Sequence, residues 1–327
     1  MKLSLVILVL QMIYASQAFP GPLGGKYPFN LIRNESIPVK KNVKIAVIDT
    51  GIDYKNNTLK SALLKKHGSE LISATKGNYG IDISYNSSSP SMPDDNHGHG
   101  THIAGIINEI NPNAKLLIIK YFNPKASEED NLDATIRAIN TAVEANVDII
   151  NYSSGGEGYN LKEYEALKRA QDKGILVIAA AGNNGKNIDS GNDAYYPASY
   201  DLNNIISVIN LKSESQVHKT SNYGLKNADI GALGTNIHSF IPGGRIATLS
   251  GTSQATAIIS GYASLLINSR KVRTHYVDIK NAILSSAKKY NFLKGKCKTE
   301  GIFSPKLFFQ KLKNSPRSLA QNKKATR

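Results

Sequence analysis

The chain contains 327 residues, of which 41% are hydrophobic and 20% are charged. This composition excludes a wholly disordered chain, and the length suffices for one large α/β domain with short extensions. A single cysteine, Cys297, excludes an intramolecular disulfide, so the hydrophobic core must stabilise the fold.

The first 18 residues have the pattern of a secretory signal peptide. Lys2 precedes an almost continuously apolar run from Leu3 to Ala15, and Ser16-Gln17-Ala18 supplies the small residues of a cleavage site. A membrane anchor or a buried helix is the alternative, although the run is short for a bilayer span. We therefore expect a secreted or periplasmic protein whose mature chain begins near Phe19. No later segment is long and apolar enough to cross a membrane.

Composition divides the rest of the chain into three segments. Residues 19–41 are rich in Pro and Gly and predict an extended segment, whereas residues 42–287 have the pattern of one folded domain. Residues 288–327 carry twelve Lys and Arg against one Glu, which predicts a basic tail in solvent. Contact of this tail with an anionic surface stays open, but it contains no nucleic-acid reader motif, so we expect no nucleic-acid partner.

Apolar strands and amphipathic helices alternate within residues 42–287. Alternation of this kind predicts an α/β fold with a mainly parallel central sheet flanked by helices on both faces. Helices are expected near Leu59–Lys66, after His99, at Asn131–Ala145, at Leu161–Lys173 and after Ser253. The predicted strands are Lys44–Asp49, Ala114–Tyr121, Asp148–Asn151, Ile175–Ala181, Asn204–Ile209 and Asp229–Ala232.

Four polar residues stand at the ends of these strands or at the starts of these helices: Asp49, His99, Asn183 and Ser253. Because parallel strands end at one edge of a sheet, we expect all four on one rim. Taken singly, Asp49 is also typical of a turn and Ser253 of a helix N-cap.

The types of these residues fit nucleophilic catalysis. A serine hydroxyl needs an imidazole that accepts its proton, and a buried carboxylate holds that imidazole in the required tautomer. Asn183 and the backbone N–H of Ser253 could stabilise the oxyanion of a tetrahedral intermediate. Three histidines, His97, His99 and His102, invite a metal reading, but His99 and His102 lie three residues apart with no matching Cys or Glu partner, so we expect no metal.

Four ordered motifs resemble those of the subtilisin-like serine proteases, the subtilase family. The resemblance runs from about Val43 to Leu284 and includes a Tyr-Pro-Ala turn at residues 196–198. The motifs are Ile48–Asp53, His99–Gly105, Ala179–Asn183 and Gly251–Ala255.

This resemblance implies a peptidase domain at residues 42–287 and a secreted serine endopeptidase that acts on polypeptides. Asp49, His99 and Ser253 would form the catalytic triad, the reaction would pass through an acyl-enzyme, and Asn183 would complete the oxyanion hole. The resemblance also implies the substrate-binding residues: one wall of the primary pocket at Ser153, Ser154 and Gly155, the other at Ala180, Ala181 and Gly182, and part of a second subsite at His97.

Some positions depart from the family pattern. The segment between Ile107 and Ala114 is too short for a calcium loop that many relatives carry, and Thr58 replaces an aspartate ligand, so we expect no cofactor, with calcium only weakly supported. Ala257 and Ser260 replace the usual proline and alanine, and residues 19–41 are too few for a folded propeptide.

Two other functions stay open at this point. One is a non-catalytic, peptide-binding pseudoprotease, which an altered triad residue would signal. The other is a dedicated protease or ligase that matures one precursor, which would ignore most unfolded proteins. We expect a monomer in each case.

Overall fold

The computed structural model describes residues 37–64, 80–88, 91–270 and 273–314. The predicted signal peptide, most of the predicted extended segment and the last thirteen residues lie outside this part of the chain. Among the helices it describes, none combines the length and the apolar character that a membrane span requires.

A mainly parallel sheet forms the centre of the molecule. The strands of the described chain are β1 Lys44–Asp49, β2 Ile81–Asp82, β3 Lys115–Lys120, β4 Ile149–Tyr152, β5 Gly156–Glu157, β6 Leu176–Ala180, β7 Tyr195–Tyr196, β8 Ile205–Ser213, β9 Gln216–Val217, β10 Ile230–Ala232, β11 Ile237–Ile241, β12 Arg245–Leu249, β13 Ala287–Lys289 and β14 Gly301–Phe303. The strands of the central sheet follow the spatial order β13-β14-β10-β8-β6-β4-β1-β3-β2. Strand β13 pairs antiparallel with β14, the other neighbours in this order are parallel, and β9 pairs antiparallel with β8.

Helices cover both faces of this sheet, which confirms the predicted α/β class. Ile45 and Val47 of β1 share one core with α2 (His99–Ile110) and α5 (Thr252–Asn268), whereas Ala46 and Ile48 share the opposite core with α3 (Glu128–Glu144) and α4 (Leu161–Asp172). This alternation is the period-two pattern of a strand that is buried on both faces. The helices are α1 Asn57–Ala62, α2 His99–Ile110, α3 Glu128–Glu144, α4 Leu161–Asp172, α5 Thr252–Asn268, α6 Tyr276–Leu284 and α7 Pro305–Asn314.

Helix α5 passes through the core, and every one of its residues is buried. Three of its polar residues, Ser260, Ser264 and Asn268, hydrogen-bond to neighbouring elements. Asn111, which follows α2, donates to Ser264 Oγ at 2.7 Å and to Asn268 Oδ1 at 2.6 Å. Ser260 donates to Asn151 Oδ1 at 2.8 Å. These contacts fix α5 against both α2 and β4.

Residues 288–314 do not form the solvated tail that their charge predicts. Strand β14 pairs in parallel with β10 inside the sheet, and α7 follows it. Phe303, Phe308 and Phe309 are buried and pack their rings around Tyr262 of α5. The high lysine content concealed this apolar face, so the predicted domain boundary at 287 was wrong. The folded domain continues to Asn314.

The predicted helix boundaries also needed correction. Helix α3 begins at Glu128 rather than at Asn131, because the side chain of Ser127 accepts a hydrogen bond from the Asp130 N–H and caps the helix there. Helix α1 ends at Ala62, since Leu63 adopts an extended backbone.

The sequence patterns did not predict the antiparallel hairpin of β11 and β12. Strands β11 and β12 pair with each other on either side of Pro242-Gly243-Gly244. The amides of both glycines donate to Asp53 Oδ2, at 3.1 and 3.3 Å. A proline and two glycines between alternating apolar residues were a readable turn signal.

Candidate active site

The fold brings the four predicted residues to the carboxyl end of the parallel strands or to adjoining helix starts. Asp49 is the last residue of β1, and Asn183 follows β6 after a short turn. His99 is the first residue of α2, and Ser253 is the second residue of α5. Because β4 lies between β1 and β6 in the sheet, these ends are close neighbours.

A short hydrogen bond joins Asp49 to His99. The Nδ1–H of His99 donates to Asp49 Oδ1 at 2.7 Å, and the side chains of His99 and Asp49 are only 5% and 2% exposed. The Thr50 N–H donates to the same carboxylate oxygen at 2.8 Å. Among the described residues, the other ring nitrogen, Nε2, is buried without a hydrogen-bond partner. The imidazole is therefore oriented with a free acceptor at Nε2.

The surroundings of His99 favour its charged form. Burial opposes protonation, but the Asp49 carboxylate, through its charge and its hydrogen bond, outweighs burial and raises the pKa of His99. A proton arriving at Nε2 would thus be stabilised by a carboxylate already in contact with the ring.

Ser253 lies at the start of α5, which packs in the same core as α2, but its hydroxyl is hydrogen-bonded to a residue other than His99. Its hydroxyl donates to the Ser153 carbonyl at 2.8 Å, and the Ser153 hydroxyl donates to the Ser253 carbonyl at 3.1 Å. Within residues 37–64, 80–88, 91–270 and 273–314, no hydrogen bond joins Ser253 to His99. The structure therefore holds Ser253 against the end of β4, and proton transfer to His99 requires a rotation of the Ser253 hydroxyl.

The amide of Asn183 has one fixed orientation. Its Oδ1 accepts hydrogen bonds from the Thr252 N–H at 3.0 Å and from the Thr252 hydroxyl at 3.1 Å. The amide nitrogen is thereby left to donate beside the start of α5. Gly182, with a φ of +99°, makes the turn that carries Asn183 from β6 to this place.

Close packing at the start of α2 sets the distance between His99 and Asp49. The Gly100 N–H donates to Thr50 Oγ1 at 2.9 Å. A Cβ at Gly100 would lie 2.3 Å from the carbonyl oxygen of Gly51 and 3.2 Å from Asp49 Oδ1. Only glycine permits this approach of helix to strand.

Asp95 is a positioning residue to which the sequence analysis gave no role. Its carboxylate accepts hydrogen bonds from the hydroxyls of Thr50 and Thr101 at 2.9 and 2.6 Å, and from the Gly98 N–H at 2.8 Å. Burial would raise its pKa, but these hydrogen bonds outweigh burial and lower it. The sequence signal that could have revealed this role was an acidic residue just before a glycine-rich helix start.

The two histidines that neighbour His99 in sequence, His97 and His102, differ in their surroundings. The Nε2–H of His102 donates to the carbonyls of Ile237 and Ala247 at 3.1 and 3.3 Å, and burial lowers its pKa to about 3. His102 is thus a neutral residue that ties α2 to the β11–β12 hairpin. Burial, followed by the nearby His99, lowers the pKa of His97, whose ring stands edge-on to His99 at 6.4 Å. In the described ranges, no three His, Cys, Asp or Glu residues cluster closely enough to hold a metal ion.

The two predicted walls of the primary pocket lie side by side. Strands β4 and β6 pair in parallel with Tyr152 opposite Ala179, so the residues that continue each strand leave the sheet at the same edge. These are Ser153, Ser154 and Gly155 after β4, and Ala180, Ala181 and Gly182 at the end of β6. The first wall adjoins the start of α5 through the Ser153–Ser253 contact, and Asn183, which directly follows the second wall, contacts Thr252 of the same helix.

This chain is similar to known proteins in sequence and in fold. The subtilase family profile matches residues 40–312. An intracellular serine protease of Paenibacillus polymyxa is 37% identical over 235 residues, covering 69% of this chain and 67% of that protein. The major intracellular serine protease of Bacillus subtilis strain 168 is 35% identical, covering 69% and 68%. A mutant of the epidermin leader peptide processing serine protease from Staphylococcus aureus has the same fold, with a TM-score of 0.73 at 20% identity, covering 93% of this chain and 84% of that one.

Proposed function

The chain belongs to the subtilase family of serine endopeptidases, and on that premise we propose that it hydrolyses peptide bonds through Asp49, His99 and Ser253. The observation that carries the proposal is the Asp49–His99 hydrogen bond of 2.7 Å, with Nε2 of His99 buried and unpartnered among the described residues. A serine in the first turn of a neighbouring helix supplies the nucleophile.

In the proposed reaction, the Ser253 hydroxyl leaves the Ser153 carbonyl and attacks the scissile carbonyl carbon. His99 Nε2 accepts the hydroxyl proton, and Asp49 stabilises the resulting imidazolium. When the C–N bond breaks, His99 gives this proton to the leaving amine, and Ser253 carries the acyl group. Water then attacks the ester with His99 again as base, which releases the acid and restores the serine.

The oxyanion of each tetrahedral intermediate would lie between two donors. These are the amide nitrogen of Asn183 and the backbone N–H of Ser253. The Thr252 contacts to Asn183 Oδ1 support this role, because they fix which end of the amide can donate. Donors held in place before reaction stabilise developing charge without reorganisation.

Labelling and hydrolysis, measured in parallel, test the nucleophile. The chain from Phe19 and its Ser253→Ala variant would be treated with a fluorophosphonate probe and given casein. We expect labelling and cleavage by the parent and neither by the variant.

Ser269→Ala is the matched control, because Ser269 directly follows the same helix and its hydroxyl donates to the Leu266 carbonyl at 2.7 Å, at the end of the helix opposite Ser253. This control should label and cleave like the parent. A folded parent that neither labels nor cleaves would contradict the proposal and favour a pseudoprotease. Cleavage of one precursor but not of diverse unfolded proteins would indicate a dedicated maturation protease.

We propose that the protein is exported, although two of its relatives are named as intracellular. The support is the basic, apolar and small-residue pattern of residues 1–18. Expression of the full chain in a secreting host, followed by N-terminal sequencing, should give a product that begins near Phe19. A product that stays in the cells with its first residues uncleaved would contradict export.

We also propose that the enzyme works without a cofactor. The support is the short connection of residues 111–114 between α2 and β3, where Asn111 is already engaged with α5. Activity should be unchanged by a calcium chelator. Loss of activity in the chelator, recovered on adding calcium, would contradict this.

A further inference from the structure

The ring of Tyr195 lies between the two walls of the primary pocket. A Cβ built on Gly155 would be 2.7 Å from Tyr195 Cε1, and a Cβ built on Gly182 would be 3.0 Å from both Cδ2 and Cε2. One edge of the ring thus faces Gly155 and the opposite edge faces Gly182. The ring spans the gap between the walls.

Tyr195 is fixed in this place by its backbone and by its packing. Its N–H donates to Ser199 Oγ at 3.1 Å, and its carbonyl accepts from the Ser199 N–H at 2.8 Å. Strand β7, to which it belongs, pairs with β5 just beyond Gly155. The side chain is 7% exposed and shares a core cluster with Ala181, Ile188 and Ala198. The ring is part of the packed interior rather than a surface group.

The gap that Tyr195 fills is adjacent to the reacting groups. Gly155 is two residues from Ser153, whose carbonyl accepts the Ser253 hydroxyl, and Gly182 directly precedes Asn183. A substrate whose carbonyl carbon faces Ser253 must place the side chain of that same residue close to these two walls. The size of this gap therefore limits the residue on the acyl side of the scissile bond.

We propose that Tyr195 closes the primary pocket and restricts cleavage to bonds that follow Gly, Ala or Ser. This inference rests on the proposed peptidase function and names its substrate class. Larger side chains would overlap the ring, because interior packing leaves no room for added methylene groups without displacing neighbours.

The test uses peptides that differ only in the residue before the scissile bond, which is Gly, Ala, Leu or Phe. For the parent chain we expect kcat/KM for Ala to exceed that for Phe by at least about 100-fold. Tyr195→Ala removes the ring and should raise kcat/KM for Leu and Phe at least tenfold relative to Ala. Tyr195→Phe keeps the ring and should keep the parent's order of preference.

Two further measurements separate this inference from the proposed function. Fluorophosphonate labelling reports a working Ser253 whatever the pocket accepts, so a labelled parent that cleaves after Phe as readily as after Ala overturns the inference alone. A folded parent that neither labels nor cleaves overturns both. If Tyr195→Ala does not fold, mass spectrometry of a digested unfolded protein decides with the parent chain: cuts after Gly, Ala and Ser support the inference, and cuts after large residues overturn it.

Discussion

In the candidate site, the side chains of His99 and Asn183 are each oriented by a neighbour that hydrogen-bonds to one end of the group. His99 offers Nε2 because Asp49 uses Nδ1, and Asn183 offers its amide nitrogen because Thr252 uses Oδ1. Ring and amide orientation are thus set by hydrogen bonds that form on folding. Changes at these neighbours should alter catalysis in specific ways.

Asn183→Ala should lower kcat by about 10²–10³-fold, with little change in KM, because the oxyanion loses a donor that acts mainly in the transition state. The magnitude is that of the same loss in subtilisin, which is a member of this family. Steady-state kinetics on one peptide would measure it. Asn183→Asp keeps the acceptor for Thr252 but replaces the donor with a negative charge, so it should be at least as slow. A variant with kcat near that of the parent would contradict the role.

The raised pKa of His99 predicts the pH at which activity falls on the acidic side. Catalysis needs neutral His99, so kcat/KM should fall as pH decreases through a pKa above the ordinary value of about 6.5. Asp49→Asn should reduce the rate about 10⁴-fold. The same change should move this fall in kcat/KM to lower pH, because burial then acts on His99 without the opposing carboxylate. If kcat/KM of the variant falls at the same pH as that of the parent, the fall reports the titration of a group other than His99.

At the scale of elements, the spacing between β1 and α2 depends on glycine and on Asp95. Gly100 lets the first turn of the helix touch the end of the strand, and Asp95 bonds to both sides of that contact through Thr50 and Thr101. The contact places His99 over Asp49. A change in this spacing should therefore reduce both activity and stability.

Gly100→Ala should lower the free energy of unfolding by about 1–3 kcal/mol, because the new methyl overlaps backbone that cannot move freely. Since α2 must shift away from Asp49, kcat/KM should fall as well. Thermal unfolding and peptide hydrolysis measure the two effects. Gly191→Ala is the matched control, because a Cβ there meets no atom within 4 Å. Equal behaviour of the two variants would contradict the argument.

At the scale of the whole molecule, the buried strands of the sheet and its flanking helices could be predicted from the sequence, but the strands at the edges of the sheet could not. Continuous apolar strands such as β1 and β6 have a pattern that no surface segment shares. Strand β14 has only three residues in a lysine-rich stretch, so net charge dominated its local pattern. The position of Tyr195 depends on contacts between distant segments, which no local pattern contains. Pocket size was therefore unreadable from sequence.

Truncation tests the corrected boundary of the domain. A chain that ends at residue 287 loses β14 and the buried rings of Phe303, Phe308 and Phe309. Since each buried Phe contributes about 3–5 kcal/mol, this chain should not fold. A chain that ends at Asn314 keeps β14 and these buried rings and should fold. Circular dichroism measures both, and a folded chain ending at 287 would restore the original boundary.

The complete burial of α5 has a consequence for hydrogen exchange. Amide hydrogens of a helix with no exposed face can exchange only when the molecule opens globally, whereas those of frayed or surface helices exchange through small local openings. The N–H of Ser253, in the first turn, has no acceptor within the helix and is not part of this protected set. We expect the amides of residues 256–268 to exchange at the rate set by global unfolding, and activity in denaturant to disappear together with the fold rather than before it.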